Sequence, residues 1–147
     1  MKKHALKALT TLAFLTALAV TSVFAQSTLP VRADIPFAFS VGNQTIEAGK
    51  CTVKRLPGSS TIVVASEHRN VAVIAMNTLA SKEASKTKLV FHKYGNSYFL
   101  AQIWTAGSQE GIALVKSGAE RKLIKSLKDQ HLAMREAPAE LVTVLVD

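Results

Sequence analysis

The sequence predicts a mostly β protein, an antiparallel β-sandwich or barrel of about seven to eight strands with one α-helix in the C-terminal region. Three stretches carry that prediction. Lys88 to Trp104, KLVFHKYGNSYFLAQIW, is two runs of β-branched, aromatic and aliphatic residues that meet at Gly95-Asn96. Glycine at the first central position suits a tight II′ hairpin turn. Val31 to Val41 places Val31, Ala33, Ile35, Phe37, Phe39 and Val41 at strict period two, as a half-buried strand requires. Lys116 to Lys128 then changes period: Ala119, Leu123 and Leu127 recur every four residues with Ile124 beside them, and Arg121, Lys125 and Lys128 form the opposite stripe of a helix.

Taken in order, Val31 to Val41 must lie at a sheet edge or carry a bulge, because Pro36 has no amide hydrogen to give a neighbour. Gly42-Asn43 turns the chain. Gln44 to Gly49 leads through a second turn at Ala48-Gly49 into Lys50 to Leu56, a strand with Cys51 and Val53 on one side. Pro57-Gly58-Ser59 breaks the chain again. Thr61 to Ser66 and Val71 to Leu79 form the next pair across Glu67-His68-Arg69-Asn70. The run Val71 to Met76 is apolar without alternation, which predicts a central strand covered on both faces. Leu79 to Lys86 is small and charged and suits a helical turn or a loop.

In the 88–104 hairpin, Tyr94 should pair with Ser97, Lys93 with Tyr98, His92 with Phe99 and Phe91 with Leu100. Cross-strand neighbours then share a face, with Val90, His92, Tyr94, Phe99, Ala101 and Ile103 on one side and Leu89, Phe91, Lys93, Tyr98, Leu100, Gln102 and Trp104 on the other. Both faces are largely apolar, which predicts a central position flanked by other strands. Five of the nine aromatic residues lie here, so this hairpin is the expected core. A Tyr94/Tyr98/Trp104 platform for a sugar or base would need exposed rings, and core packing is the better expectation.

After Trp104, Thr105 to Gln109 is a loop and Glu110 to Val115 a short strand. Ser117 with Glu120 three residues on has capping-box spacing for the helix. Asp129 to Ala137 is a linker closed by Pro138. Glu140 to Asp147 alternates Leu141/Thr143/Leu145 with Val142/Val144/Val146, a last strand apolar on both sides.

Met1 to Ala25 has the order of a secretory signal: Lys2, Lys3 and Lys7, an apolar run from Leu9 to Val20, then Ser22-Val23-Phe24-Ala25 before Gln26. Removing 25 of the 147 residues leaves a single domain, 26–147, of 122 residues, and the formal charge falls from +8 to +5 as those lysines go. The expected location is the periplasm or the exterior, with no membrane-spanning segment after cleavage. A basic surface of this size suits an anionic envelope component, acidic polysaccharide or lipid headgroups, and not nucleic acid. Cys51 is the only cysteine, so no disulfide can form within the chain, and a lone cysteine in a strand behaves as a small buried hydrophobe. The expected state is a monomer.

Three blocks, IPFAFSVGNQTIEAGKCTVKRL from Ile35, KLVFHKYGNSYFLAQIW from Lys88 and KSGAERKL from Lys116, resemble a family of small uncharacterised exported proteins found mainly in acidobacteria. There the first block runs I-P-F-x-F, V-G, then A-G-x-Y-x-V, and Cys51 stands where tyrosine is common. The resemblance implies export and a shared β fold, and brings no activity, cofactor or catalytic residue.

Chemistry that needs clustered ligands finds little to use. After removal of the leader only His68, His92 and His131 remain, far apart in sequence, so neither a metal nor another cofactor is expected. Ser85-Lys86-Thr87-Lys88 fits S-x-x-K and Lys116-Ser117-Gly118 resembles K-T-G, but an extended lysine three residues on points away from its serine. G-x-S-x-G, H-E-x-x-H and a phosphate-cradling glycine loop are missing, and the acidic residues are scattered. The expectation is therefore a non-enzymatic envelope β module with a binding or structural role, with no catalytic residue and no nameable ligand-binding residue. A lipocalin-like carrier of a small apolar ligand is the alternative. Its early G-x-W is absent, and it would require a cavity on the order of 300 Å³ or more.

Overall fold

The computed structural model describes residues 30–80, 84–130 and 139–146. The expected leader, His131 and most of the expected linker lie outside the described residues. Among the described residues, ten strands form one sheet: β1 (Val31–Ile35), β2 (Phe39–Val41), β3 (Gln44–Ile46), β4 (Gly49–Arg55), β5 (Thr61–Ser66), β6 (Asn70–Ala80), β7 (Lys88–Tyr94), β8 (Ser97–Trp104), β9 (Glu110–Leu114) and β10 (Glu140–Leu145). The one described helix, α1 (Gly118–Gln130), lies between β9 and β10.

Neighbours run β1-β4-β5-β6-β9-β8, all antiparallel, and β7 then β10 continue beyond β8. The β2–β3 hairpin touches β8 through one parallel bridge, Ser40 to Phe99. The sheet does not close into a barrel. Its two ends, β1 and β10, come within 8 Å between Cα atoms without forming a ladder.

The expected strand 31–41 is two strands. Every odd residue from Val31 to Val41 except Phe37 is buried, as its period requires. Pro36 nevertheless ends the ladder with β4, and after residue 38 the chain pairs with β3 and β8 instead. A residue without an amide hydrogen sits where the chain changes partners. This split, with β3 standing as a strand of its own, raises the count above the number the sequence suggests.

β6 is central, as expected, but not covered on both faces: Ala72 is exposed and Ile74 is 65 % exposed. It pairs with β5 through Ile74 and with β9 from Ala75, with a register shift between Ala75 and Asn77. Val71, Val73 and Ala75 face the core while Ala72 and Ile74 face outward, so burial alternates through the run although hydrophobicity does not.

The hairpin pairs as its turn predicts, with positive φ at Gly95 and not at Asn96. One correction applies past Leu100. Phe91 pairs with Leu100 but Val90 with Gln102, so Ala101 is a bulge residue. The bulge exchanges the faces: Ile103 joins Leu89 and Phe91, while Gln102 and Trp104 join Val90 and Lys88. Trp104 then lies against Gly111 on β9, where a Cβ would come 2.6 Å from the indole ring. Its Nε1 donates to Gln102 Oε1 at 2.9 Å.

Between the layers, Ile35, Phe39, Val41, Ile46, Ile62, Val64, Leu89 and Phe91 are at most 1 % exposed. Phe91 meets Phe37 and Phe39 edge-on at 5.2 and 5.3 Å, and Phe37 stacks on Tyr98 at 4.0 Å. Each such side chain contributes about 1.5–3 kcal/mol through removal from water. Cys51 is buried in this core. Burial first, and the Asp34 carboxylate second, push its thiol up from 9.0 to about 11, so it remains a protonated, unreactive hydrophobe at neutral pH.

Candidate functional site

The residues with chemical potential converge where α1 begins. Ser117 caps the helix, its Oγ accepting the Glu120 N–H at 3.0 Å. Asn43, from the β2–β3 turn, accepts the Ala119 N–H through Oδ1 at 3.0 Å. A helix start leaves such donors without intrahelical partners, and two separate side chains supply them.

Glu120 occupies the capping-box position but turns its carboxylate inward. Oε1 accepts the Tyr94 hydroxyl at 3.0 Å and lies 2.7 Å from His92 Nδ1. An ionised carboxylate only accepts, so Nδ1 carries the proton and Nε2 is left for solvent or a further partner. Glu120 is 3 % exposed and is the buried charged residue among the described ones. Its place in the first turn adds the favourable helix-dipole interaction. His92 and Tyr94 reach it together because residues i and i+2 of a strand share a face, here the outer face of β7.

Tyr94 is held strongly in its neutral form. Burial first, then the hydrogen bond to Glu120 and its negative charge, push the phenol from 10.0 up to about 12. The folded phenol therefore keeps its proton where the unfolded one loses it. The stability this contributes is fully present below pH 10 and is lost as pH rises through about 12. Denaturation midpoints measured across that window should fall more steeply for the natural protein than for Tyr94→Phe.

The remaining sequence candidates do not come together. Tyr98 stacks on Phe37 at the inner face while Tyr94 and Trp104 belong to the outer one, so the three rings make no common platform. Ser85 is exposed before β7, and Lys88 lies over Trp104 at 5.6 Å from its ring centroid. Ser117 is a helix cap, which accounts for the K-T-G likeness. His68 is exposed in the β5–β6 turn. Among the described residues, no cluster of three or more His, Cys, Asp or Glu side chains could hold a metal ion.

A carboxylate-oriented imidazole resembles half of a nucleophile-activating dyad, but that chemistry also needs a nucleophile within hydrogen-bond reach. His92 has Glu120 as its partner instead. The cavity beside Glu120, lined by Ser40, Gly42, Phe99 and Ser117, measures about 30 Å³, room for a water molecule and not for a substrate. No family model matches the chain, and neither a curated protein nor a solved structure matches it. What the geometry does is mechanical. Glu120 pins the first turn of α1 to β7, and Arg121, Lys122 and Lys125 remain exposed. Sequence reasoning assigned Glu120 to capping and treated the histidines as isolated. The usable signal was His92 and Tyr94 on one strand face, needing a buried polar partner.

Proposed function

We propose that this chain is an exported, non-enzymatic envelope module that contacts anionic envelope surfaces through the outer face of α1. The observation that carries the reading is the division of labour within the helix. Its buried carboxylate is held by His92 and Tyr94, while Arg121, Lys122 and Lys125 are exposed next to it in sequence and Asp129 is the one exposed acid on α1. A helix anchored in this way offers a fixed cationic stripe, and such stripes attract anionic headgroups or acidic polysaccharides over roughly one Debye length, ~8 Å at physiological salt. The leader-like first 25 residues support export. Phe39 and Phe91 fill the space between the layers. The one space large enough for a carried ligand among those at the described residues, about 620 Å³, is an open depression bordered by Arg32, Asp34, Lys50 and Glu67 and not an enclosed cavity.

The test is binding to phosphatidylglycerol vesicles and to an acidic polysaccharide, set against neutral vesicles. Binding should weaken with salt. The combined variant Arg121→Gln, Lys122→Gln, Lys125→Gln should lose about 100-fold, from roughly 1 kcal/mol per basic residue at the surface. Failure to bind either anionic probe would overturn the reading. So would turnover of a hydrolase substrate that disappears when one polar side chain is replaced.

A further inference from the structure

We propose that β10 is the contact through which two copies of this chain join edge to edge across a two-fold axis at Thr143. Where the sequence suggests a monomer, three features of this strand point to a pair.

The first feature is an edge that no described strand pairs with. Val146 donates its N–H to Thr87 at 3.0 Å, and hydrogen-bonding direction alternates along an antiparallel strand. Val142 and Val144 therefore face β7 with their backbone groups, while Leu141, Thr143 and Leu145 aim theirs at the free side. β1 approaches β10 but forms no ladder with it, so these groups are not taken up there.

The second is missing protection. Edge strands are normally guarded by lysine, proline or a bulge. Leu141 to Leu145 contains no charge and no proline, and its register with β7 is unbroken. Glu140, the one charge beside it in the described strand, is bonded to Lys93 at 2.8 Å. On the outer face Leu141 is 60 % and Leu145 56 % exposed, so the strand presents apolar side chains as well as open backbone.

The third feature names the occupant. Leu141-Val142-Thr143-Val144-Leu145 reads the same in both directions. Antiparallel strands related by a two-fold axis at Thr143 would set Leu141 against Leu145 of the second copy, Val142 against Val144, and Thr143 against itself. Those free backbone groups would then be exchanged in hydrogen-bonded pairs, and the exposed leucines would cover one another. Glu140 would face Val146 of the other copy, so no like charges oppose directly. A two-fold interface requires this self-complementarity, and a strand of unrelated sequence would not supply it.

The register makes the test specific. In an antiparallel hydrogen-bonded pair the Cα atoms are about 5.5 Å apart, within disulfide range. Leu141 would instead be four residues from its own counterpart, roughly 13 Å away. Thr143→Cys and Leu141→Cys are made separately and oxidised with copper–phenanthroline as catalyst, dissolved oxygen taking up the two electrons and two protons released per disulfide to give hydrogen peroxide. Cys51 is buried and does not compete. Thr143→Cys should cross-link about ten times faster than Leu141→Cys, because only the first satisfies disulfide geometry. Sedimentation of the natural protein should give the mass of two chains. Thr143→Lys should give one chain with an unchanged circular dichroism spectrum, and Thr143→Val should remain paired, which separates loss of contact from loss of fold. A single-chain mass throughout the micromolar range, with equal slow cross-linking of both cysteine variants, would overturn the proposal and leave the edge to a strand of another protein or to solvent.

Discussion

Replacing Phe91 with alanine is expected to lower stability by about 3–5 kcal/mol, the range for removing a fully buried aromatic side chain. Phe91 has no exposed surface and stands edge-on to both Phe37 and Phe39. Phe37 lies in the crossing from β1 to β2 and Phe39 opens β2, so the void would open where the layers meet and two backbone segments would have to move together to fill it. Partial collapse of that kind leaves both lost transfer energy and residual cavity. Urea denaturation should show a lower midpoint with the same slope, while Ile74→Ala, at a 65 % exposed position, should stay within about 0.5 kcal/mol of the natural protein. Similar losses at both positions would contradict this account of the core.

Glu120→Ala should cost about 3 kcal/mol and free α1 locally. Truncation removes the acceptor of two charge-assisted hydrogen bonds and leaves the His92 and Tyr94 donors without their partner. Glu120 is the buried residue of the helix, whereas Leu123, Ile124 and Leu127 are only half-buried. Loss of the pin should therefore raise amide exchange along α1 much more than in β7 and β8. Glu120→Gln keeps a carbonyl oxygen for one donor and should lose less. An alanine variant with unchanged exchange in α1 would show that the leucine stripe, and not the carboxylate, holds the helix.

Local chemistry accounts for what was readable beforehand. The hairpin pairing near Gly95-Asn96 followed from turn chemistry, the odd-residue burial of 31–41 from period two, and α1 from its period near four. What failed did so where one residue changed the geometry of its neighbours. Ala101 looks like any strand residue, yet as a bulge it reverses Gln102, Ile103 and Trp104. Pro36 announced an irregularity without saying that the chain would change partners beyond it. The run from Val71 to Met76 read as doubly covered because its outward-facing positions, Ala72 and Ile74, are apolar too. The Glu120 site was the least readable, since His92 and Glu120 are 28 residues apart and only the docking of α1 on β7 joins them. A lone glutamate at capping-box spacing has two uses for its carboxylate, and the tertiary fold decides between them.

Hydrogen exchange of the protein alone and bound to phosphatidylglycerol vesicles tests most directly whether a pinned α1 is the contact surface. Added protection concentrated in the helix around Arg121, Lys122 and Lys125, and reduced by Glu120→Ala, is the predicted result. Protection confined to the sheet, or none at all under conditions where the vesicles are bound, would contradict it.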